Sequence, residues 1–210
     1  AITGELLAVV GQGILKMPTA ITVDATGDIY VTDSQSHVVH VFDSTYNPVR
    51  VIGKPGVGKD TLTFPTDTEI MVSTGGGTAN QKEIFVADQG TSRVQVFDVT
   101  GNWLSSRTFE GIEGHYCSWF TGECEIPGTP AFTRVQALSK DSQGQLHVLD
   151  NFAAAAIVLD PADSTYLSHY GGYGTSSGLF RVPMDVLVTP TGNAIVTTGD
   201  ADRIEIFTAQ

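Results

Sequence analysis

Four stretches of this chain repeat one another, and internal repetition limits the possible folds more than any single motif does. Residues Asp24 to Asp33 (DATGDIYVTD) match Asp141 to Asp150 (DSQGQLHVLD) and Thr189 to Thr198 (TPTGNAIVTT) at identical spacing. Residues Glu83 to Asp88 (EIFVAD) are the second half of a fourth copy. Each copy leads into a second β-rich run, Val38–Phe42, Arg93–Phe97, Ala155–Leu159 or Arg203–Phe207. Three copies continue into a run that ends in glycine: Val49–Gly53, Ser106–Gly111 and Leu167–Gly171. The Asp-x-x-Gly step between the first two runs is hairpin chemistry, because glycine tolerates positive φ. No run of helical length has clean helical periodicity. The spacing predicts an all-β chain in one domain, residues 1–210, made of four-stranded units repeating every ~50 residues. Such units bury their faces against one another as the blades of a β-propeller.

The ends of the chain sharpen this expectation. The last unit stops after its third strand, at Phe207, while Leu6–Gly11 (LLAVVG) has the fourth-strand pattern. We therefore expect the N-terminal strand to complete the last blade and close a four-bladed ring without exposed edges. The alternative is four blades of a larger, six-bladed ring.

The repeated motifs resemble NHL repeats. The matching segments are Pro18–Gly53, most of Pro65–Gly111 and Pro183–Phe207. The third unit departs most, with Val135 where the pattern has Pro and Ala155 where it has Arg. The resemblance implies a propeller used as a binding platform. Related propellers also include lyases and hydrolases, and some NHL enzymes hold zinc through histidines.

Composition restricts the partners. The formal net charge is −12, from 23 acidic and 11 basic residues, so nucleic acid and anionic membrane would be repelled over most of the surface. No segment approaches the length of a membrane helix, so no membrane insertion is expected. The chain begins at Ala1 without an apolar leader, as it would if a leader had been removed or the start trimmed. Cys117 and Cys124 are expected to form a small disulfide loop, which implies a secreted, periplasmic or cell-surface protein. They lie in a segment, residues 112–131, that no other unit possesses.

Several residues invite chemical readings. The glycine-rich Gly53–Asp60 comes close to a phosphate-binding loop, but Asp60 stands where Ser or Thr is needed and no helix pattern follows. It is expected to be a connection between blades. Repeat alignment sets His40 with Gln95 and Glu205, and His147 with Tyr30 and Phe85. His37 falls in a loop, His115 in the extra segment and His169 in an outer strand. These positions do not converge, so no His-ligated metal and no cofactor are expected. Asp33, Asp88 and Asp150 recur at one repeat position, which points to a structural task. Asp200 and Asp202 are too few for a calcium site.

Residues that break the repeat point to function. Lys140 holds a first-strand position given to Val23 and Val188, so it is expected to present its charge in the central channel. Tyr116, Trp119 and Phe120 sit in or beside the cysteine loop and are candidate anchors for a protein partner. No catalytic constellation is visible. The expected function is an exported, non-catalytic scaffold that docks a protein partner in a larger extracellular assembly. The alternatives are a propeller-fold lyase or hydrolase, and a lectin-like domain that binds carbohydrate.

Overall fold

The computed structural model describes residues 4–72, 81–109, 132–199 and 203–208. The described residues contain no α-helix, only a short 3₁₀ turn at Gln89–Thr91. Fifteen strands form four antiparallel sheets, one for each repeat. Blade 1 is β1 (Pro18–Val23), β2 (Ile29–Asp33), β3 (Val38–Phe42) and β4 (Pro48–Ile52). Blade 2 is β5 (Pro65–Val72), β6 (Lys82–Asp88), β7 (Arg93–Asp98) and β8 (Trp103–Arg107). Blade 3 is β9 (Val135–Lys140), β10 (Leu146–Asp150), β11 (Ala155–Leu159) and β12 (Tyr166–Gly171). Blade 4 is β13 (Pro183–Val188), β14 (Ala194–Thr198) and β15 (Arg203–Phe207). The chain is an all-β propeller of four blades, as its repeats predict.

Turn chemistry recurs with the repeat. Asp24 accepts from the amides of Thr26 at 2.8 Å and Asp28 at 3.0 Å, which closes the β1–β2 turn. Asp141 does the same in blade 3 for Gln143 and Gln145, at 2.9 and 2.8 Å. In blade 4 Thr189 Oγ1 accepts from the Asn193 amide at 3.0 Å. Short oxygen-bearing side chains that bond the backbone two to four residues on favour these turns in any context. The recurrent aspartates also have the structural task expected of them. Buried Asp33 accepts from the amides of Lys16 and Met17, Asp88 from that of Thr63, and Asp150 from those of Thr133, Arg134 and Ala153. Each carboxylate thus pins the segment that enters its blade.

The core lies in the seams between blades. Tyr30, Val39, Val41 and Ile52 of blade 1 pack on Ile70, Ile84, Val86 and Phe97 of blade 2, with Leu62 from the connection between them. A second cluster joins blades 2 and 3, and a third joins blades 3 and 4. Full burial of each large apolar side chain contributes ~1.5–3 kcal/mol, so these seams carry most of the hydrophobic stabilisation.

The connections from blade 1 to blade 2 and from blade 3 to blade 4 follow one plan. The chain ends the fourth strand in a glycine and then inserts an apolar side chain between that glycine and the next blade. A Cβ added at Gly53 would lie 2.6 Å from Leu62 Cδ1, and Leu62 in turn abuts Phe97. Gly171, at φ +93°, stands in the same relation to Phe180, which packs edge-on against Phe207. The Gly53–Asp60 stretch is such a connection, as expected: Lys54 pairs with Asp60 at 2.6 Å, and Pro55 bridges to Leu62.

The closure expected of the N-terminal strand is not formed. Among the described residues Leu6–Val10 pairs with no strand, and blade 4 has three strands. The reason lies in the connection plan. Gly11 accepts from the amides of Ile14 and Leu15 at 3.0 Å, and Leu15 sits beside the Gly11 backbone and Phe42. Together with the Asp33 anchor on Lys16 and Met17, this fixes residues 11–17 on blade 1. Val10 lies beside Leu15, Ile21 and Phe42 on blade 1, and among the described residues no hydrophobic cluster joins blade 1 to blade 4.

Candidate functional site

The first strands of successive blades lie side by side, β1 against β5, β5 against β9 and β9 against β13. Strand register aligns their positions. Ala20, Asp67, Ala137 and Asp185 are equivalent, opposite Thr32, Ala87, Leu149 and Thr197 of the second strands. Alanine in blades 1 and 3 thus becomes a carboxylate in blades 2 and 4. Further along these strands stand Glu69 on β5 and Lys140 on β9.

Asp67 is the most perturbed of these groups. Its Oδ2 accepts from the Leu138 amide of the next blade and its Oδ1 from the Thr68 amide, both at 2.7 Å. Burial disfavours the charged form and outweighs these two bonds. The negative charges of Asp185 and Glu69 act in the same direction as burial, and the carboxyl is pushed up to about 7. Burial raises Asp185 as well. Lys140, at the end of β9, is tied to the neighbouring blade. Its Nζ donates to Glu69 Oε1 at 3.0 Å and to the Ile70 carbonyl at 2.6 Å. The site therefore combines a carboxyl that exchanges its proton at neutral pH, a second carboxyl whose charge it feels, and an ammonium able to hold an anion.

The histidines are dispersed. His37 Nδ1 accepts from the Phe64 amide at 2.8 Å, and its ring packs edge-on against Phe64. His40 lies 3.7 Å from Asp33. His147 is buried in the seam and bonds Tyr170 at 3.0 Å; burial lowers its basicity. His169 bonds Tyr166 at 2.7 Å. These four do not fit a shared metal, and no cluster of three metal-ligating side chains occurs among the described residues. His115, Asp200, Asp202, the disulfide expected between Cys117 and Cys124, and the anchors Tyr116, Trp119 and Phe120 lie outside the described residues.

Comparison with known proteins adds two kinds of finding. The family model for the NHL repeat matches residues 15–42, which end blade 1's third strand. The four-bladed propeller carries an NHL repeat in its first blade. A curated relative from Caenorhabditis elegans, named as a probable peptidyl-alpha-hydroxyglycine alpha-amidating lyase, is 38% identical over 98 residues. That match covers 45% of this chain and 26% of the relative, so the chain spans about a quarter of the relative's length. Among solved structures, hydrazine synthase of Kuenenia stuttgartiensis superposes with a TM-score of 0.60 at 13% identity, over 99% of this chain and 49% of that one. A catalytically inactive virginiamycin B lyase from Staphylococcus aureus, solved with quinupristin, gives 0.54 at 10% identity, over 92% and 56%. Both structures establish the fold alone.

The amidating-lyase relative overturns the expectation of a non-catalytic scaffold. Asp67 and Asp185 each interrupt an otherwise ordinary strand, and only their shared repeat position marks them as a pair. Aligning the first strands by register supplies that signal: a carboxylate in two units where two others have alanine. No helix among the described residues is long and apolar enough to cross a membrane.

Proposed function

We propose that this propeller is a lyase module that cleaves the C–N bond of a carbinolamide, a hydroxyl-bearing carbon attached to an amide nitrogen, with Asp67 as the proton-transfer group. Peptidyl-α-hydroxyglycine, the substrate named for the relative, belongs to this class. The observation that carries the reading is the pair of carboxyls, Asp67 and Asp185, at one register position where the other blades have alanine; Asp67 bonds two backbone amides, and burial pushes it up to about 7. Ionised Asp67 takes the proton of the hydroxyl. The oxygen's electrons form the carbonyl, the C–N bond breaks with its pair on nitrogen, and the proton held by Asp67 passes to that nitrogen. The products are an amide and an aldehyde, and no redox partner is needed. Lys140 pairs with the carboxylate of the substrate, exchanging its bond to Glu69.

The test is release of glyoxylate from an N-acyl-α-hydroxyglycine. Turnover should fall by about 100-fold or more in Asp67→Asn, in line with the usual contribution of a positioned acid–base group. Lys140→Met should chiefly raise KM. Wild-type protein that releases no glyoxylate above background refutes the proposal. A location outside the cytoplasm is part of the same reading and rests on pairing of Cys117 with Cys124. Peptide mass mapping without reductant checks that pairing.

A further inference from the structure

We propose that Phe64, turned out of its blade and held by His37, seats the acyl part of the substrate and selects N-acyl-α-hydroxyglycines whose acyl part is large and apolar. This rests on the reading above, in which the reacting carbon sits at Asp67.

The residue before the first strand is bound alike in blades 1 and 3. Met17, Phe64, Arg134 and Val182 are equivalent, because the residues that follow them register with Asp33, Asp88, Asp150 and Thr198. In blade 1, Asp33 accepts from two consecutive amides, those of Lys16 and Met17, at 2.8 and 2.9 Å. In blade 3, Asp150 accepts from those of Thr133 and Arg134, at 2.6 and 2.8 Å. The amides of Ser34, Asn151 and Gly199 in turn donate to the carbonyls of Met17, Arg134 and Val182, at 3.0, 2.9 and 2.7 Å.

Blade 2 departs from this pattern at Phe64. Asp88 accepts from the Thr63 amide at 2.6 Å, and its other oxygen serves Thr91 and Arg93 rather than a second backbone amide. The bond to the carbonyl is displaced by one residue and runs from the Gly90 amide to Thr63 at 2.8 Å. A Cβ at Gly90 would lie 2.5 Å from that carbonyl oxygen, so the displaced bond needs glycine. Phe64 takes up φ +51°, which a bulky residue rarely adopts, whereas none of Met17, Arg134 and Val182 has a positive φ. Its amide donates instead to His37 Nδ1 of blade 1 at 2.8 Å, and the imidazole packs edge-on against the phenyl ring with centroids 4.6 Å apart.

A glycine, an imidazole and a strained φ thus cooperate to leave Phe64 51% exposed at the head of β5. An exposed ring adds little to the stability of the fold, and backbone strain of this kind clusters at ligand sites. The strand it heads is the one that carries Asp67. Three residues separate the two, ~10 Å along an extended chain. A substrate with its reacting carbon at Asp67 brings the neighbouring Cα of its acyl part ~3.8 Å closer to Phe64. Ring contact is made at ~4 Å. An acetyl group ends at that Cα and falls short of the ring, whereas a benzoyl group or the side chain of an apolar residue reaches it.

Binding of N-benzoylglycine and N-acetylglycine to the 210-residue chain, followed by NMR titration, tests the inference. Both lack the hydroxyl that the cleavage needs, so the result is independent of Asp67 as proton-transfer group, whose own failure shows as absent glyoxylate. N-benzoylglycine should bind about tenfold more tightly, the size expected of one ring seated on another. Phe64→Ala should bring the ratio close to one and leave the affinity for N-acetylglycine unchanged. His37→Gly should also lower the ratio, because it releases the Phe64 amide while glycine accepts the φ of +59° at that position. Neither position is buried, so thermal melts should show both variants folded. A ratio near one in wild type, no detectable binding of N-benzoylglycine, or a ratio that survives both substitutions overturns the inference.

Discussion

Replacing Asp67 by Asn tests whether this carboxyl is held near neutrality by its surroundings. In the folded chain its proton is retained up to about 7, against 3.8 for the free group. The direction follows from this. The folded state binds the proton more tightly than the unfolded chain does. Stability is therefore complete below about pH 4 and declines as the pH rises towards 7. One unit is 1.36 kcal/mol, so three units set a ceiling of ~4 kcal/mol. Solvent screening of a group that is not fully buried reduces this to ~1–3 kcal/mol. The amide cannot ionise, so the variant escapes the loss. It retains an oxygen for the Leu138 amide but gives up the second bond, from Thr68, at a cost of about 1 kcal/mol. The variant should thus be less stable than wild type at pH 4.5 and more stable at pH 8.5, with the curves crossing between. Urea denaturation at half-unit intervals, with both slope and midpoint recorded, measures this. Parallel curves with a constant offset would refute the argument, because they would mean that Asp67 titrates alike in both states.

Three further outcomes follow from the geometry. Asp150→Ala removes the acceptor for the Thr133, Arg134 and Ala153 amides and the Thr133 hydroxyl, and should lower stability by ~2–4 kcal/mol in thermal melts. Gly171→Ala forces a methyl to 2.2 Å from Phe180 Cε2 at positive φ, and should destabilise by ~2 kcal/mol or more in the same assay. Val96→Ala, in the seam between blades 2 and 3, should cost ~1–3 kcal/mol, whereas Val57→Ala on an exposed connection should leave the melting temperature within a degree.

Strand identity was legible in the sequence because each strand is set by local chemistry. The Asp-x-x-Gly turns and the alternation through Ile29–Asp33 need no knowledge of the rest of the fold. His147 was also legible, since its alignment with Tyr30 and Phe85 placed it in a seam, where it is buried against Tyr170. The N-terminal strand misled for a physical reason. Its residues have the fourth-strand pattern, but a pattern specifies what a segment can pair with, not which edge lies within reach. That is decided by Gly11 and Leu15, which tie the segment to blade 1. Asp67 was illegible for a related reason. Its proton affinity arises from Leu138, Asp185 and the packing of three blades, and the sequence near Asp67 reports none of these.

The glycine-and-insert connection bears on how such chains can change length. Each described junction is a local transaction between one blade's last glycine and the next blade's third strand. Copying a segment from one glycine to the next therefore duplicates a blade together with a working socket for its successor. No distant residue has to change in concert. The inserted side chains do differ in bulk: Leu15 and Leu62 face Phe42 and Phe97, whereas Phe180 faces Phe207. The inserted residue and the ring it faces lie in the same segment, so a copied unit brings a matched pair with it wherever it is set down.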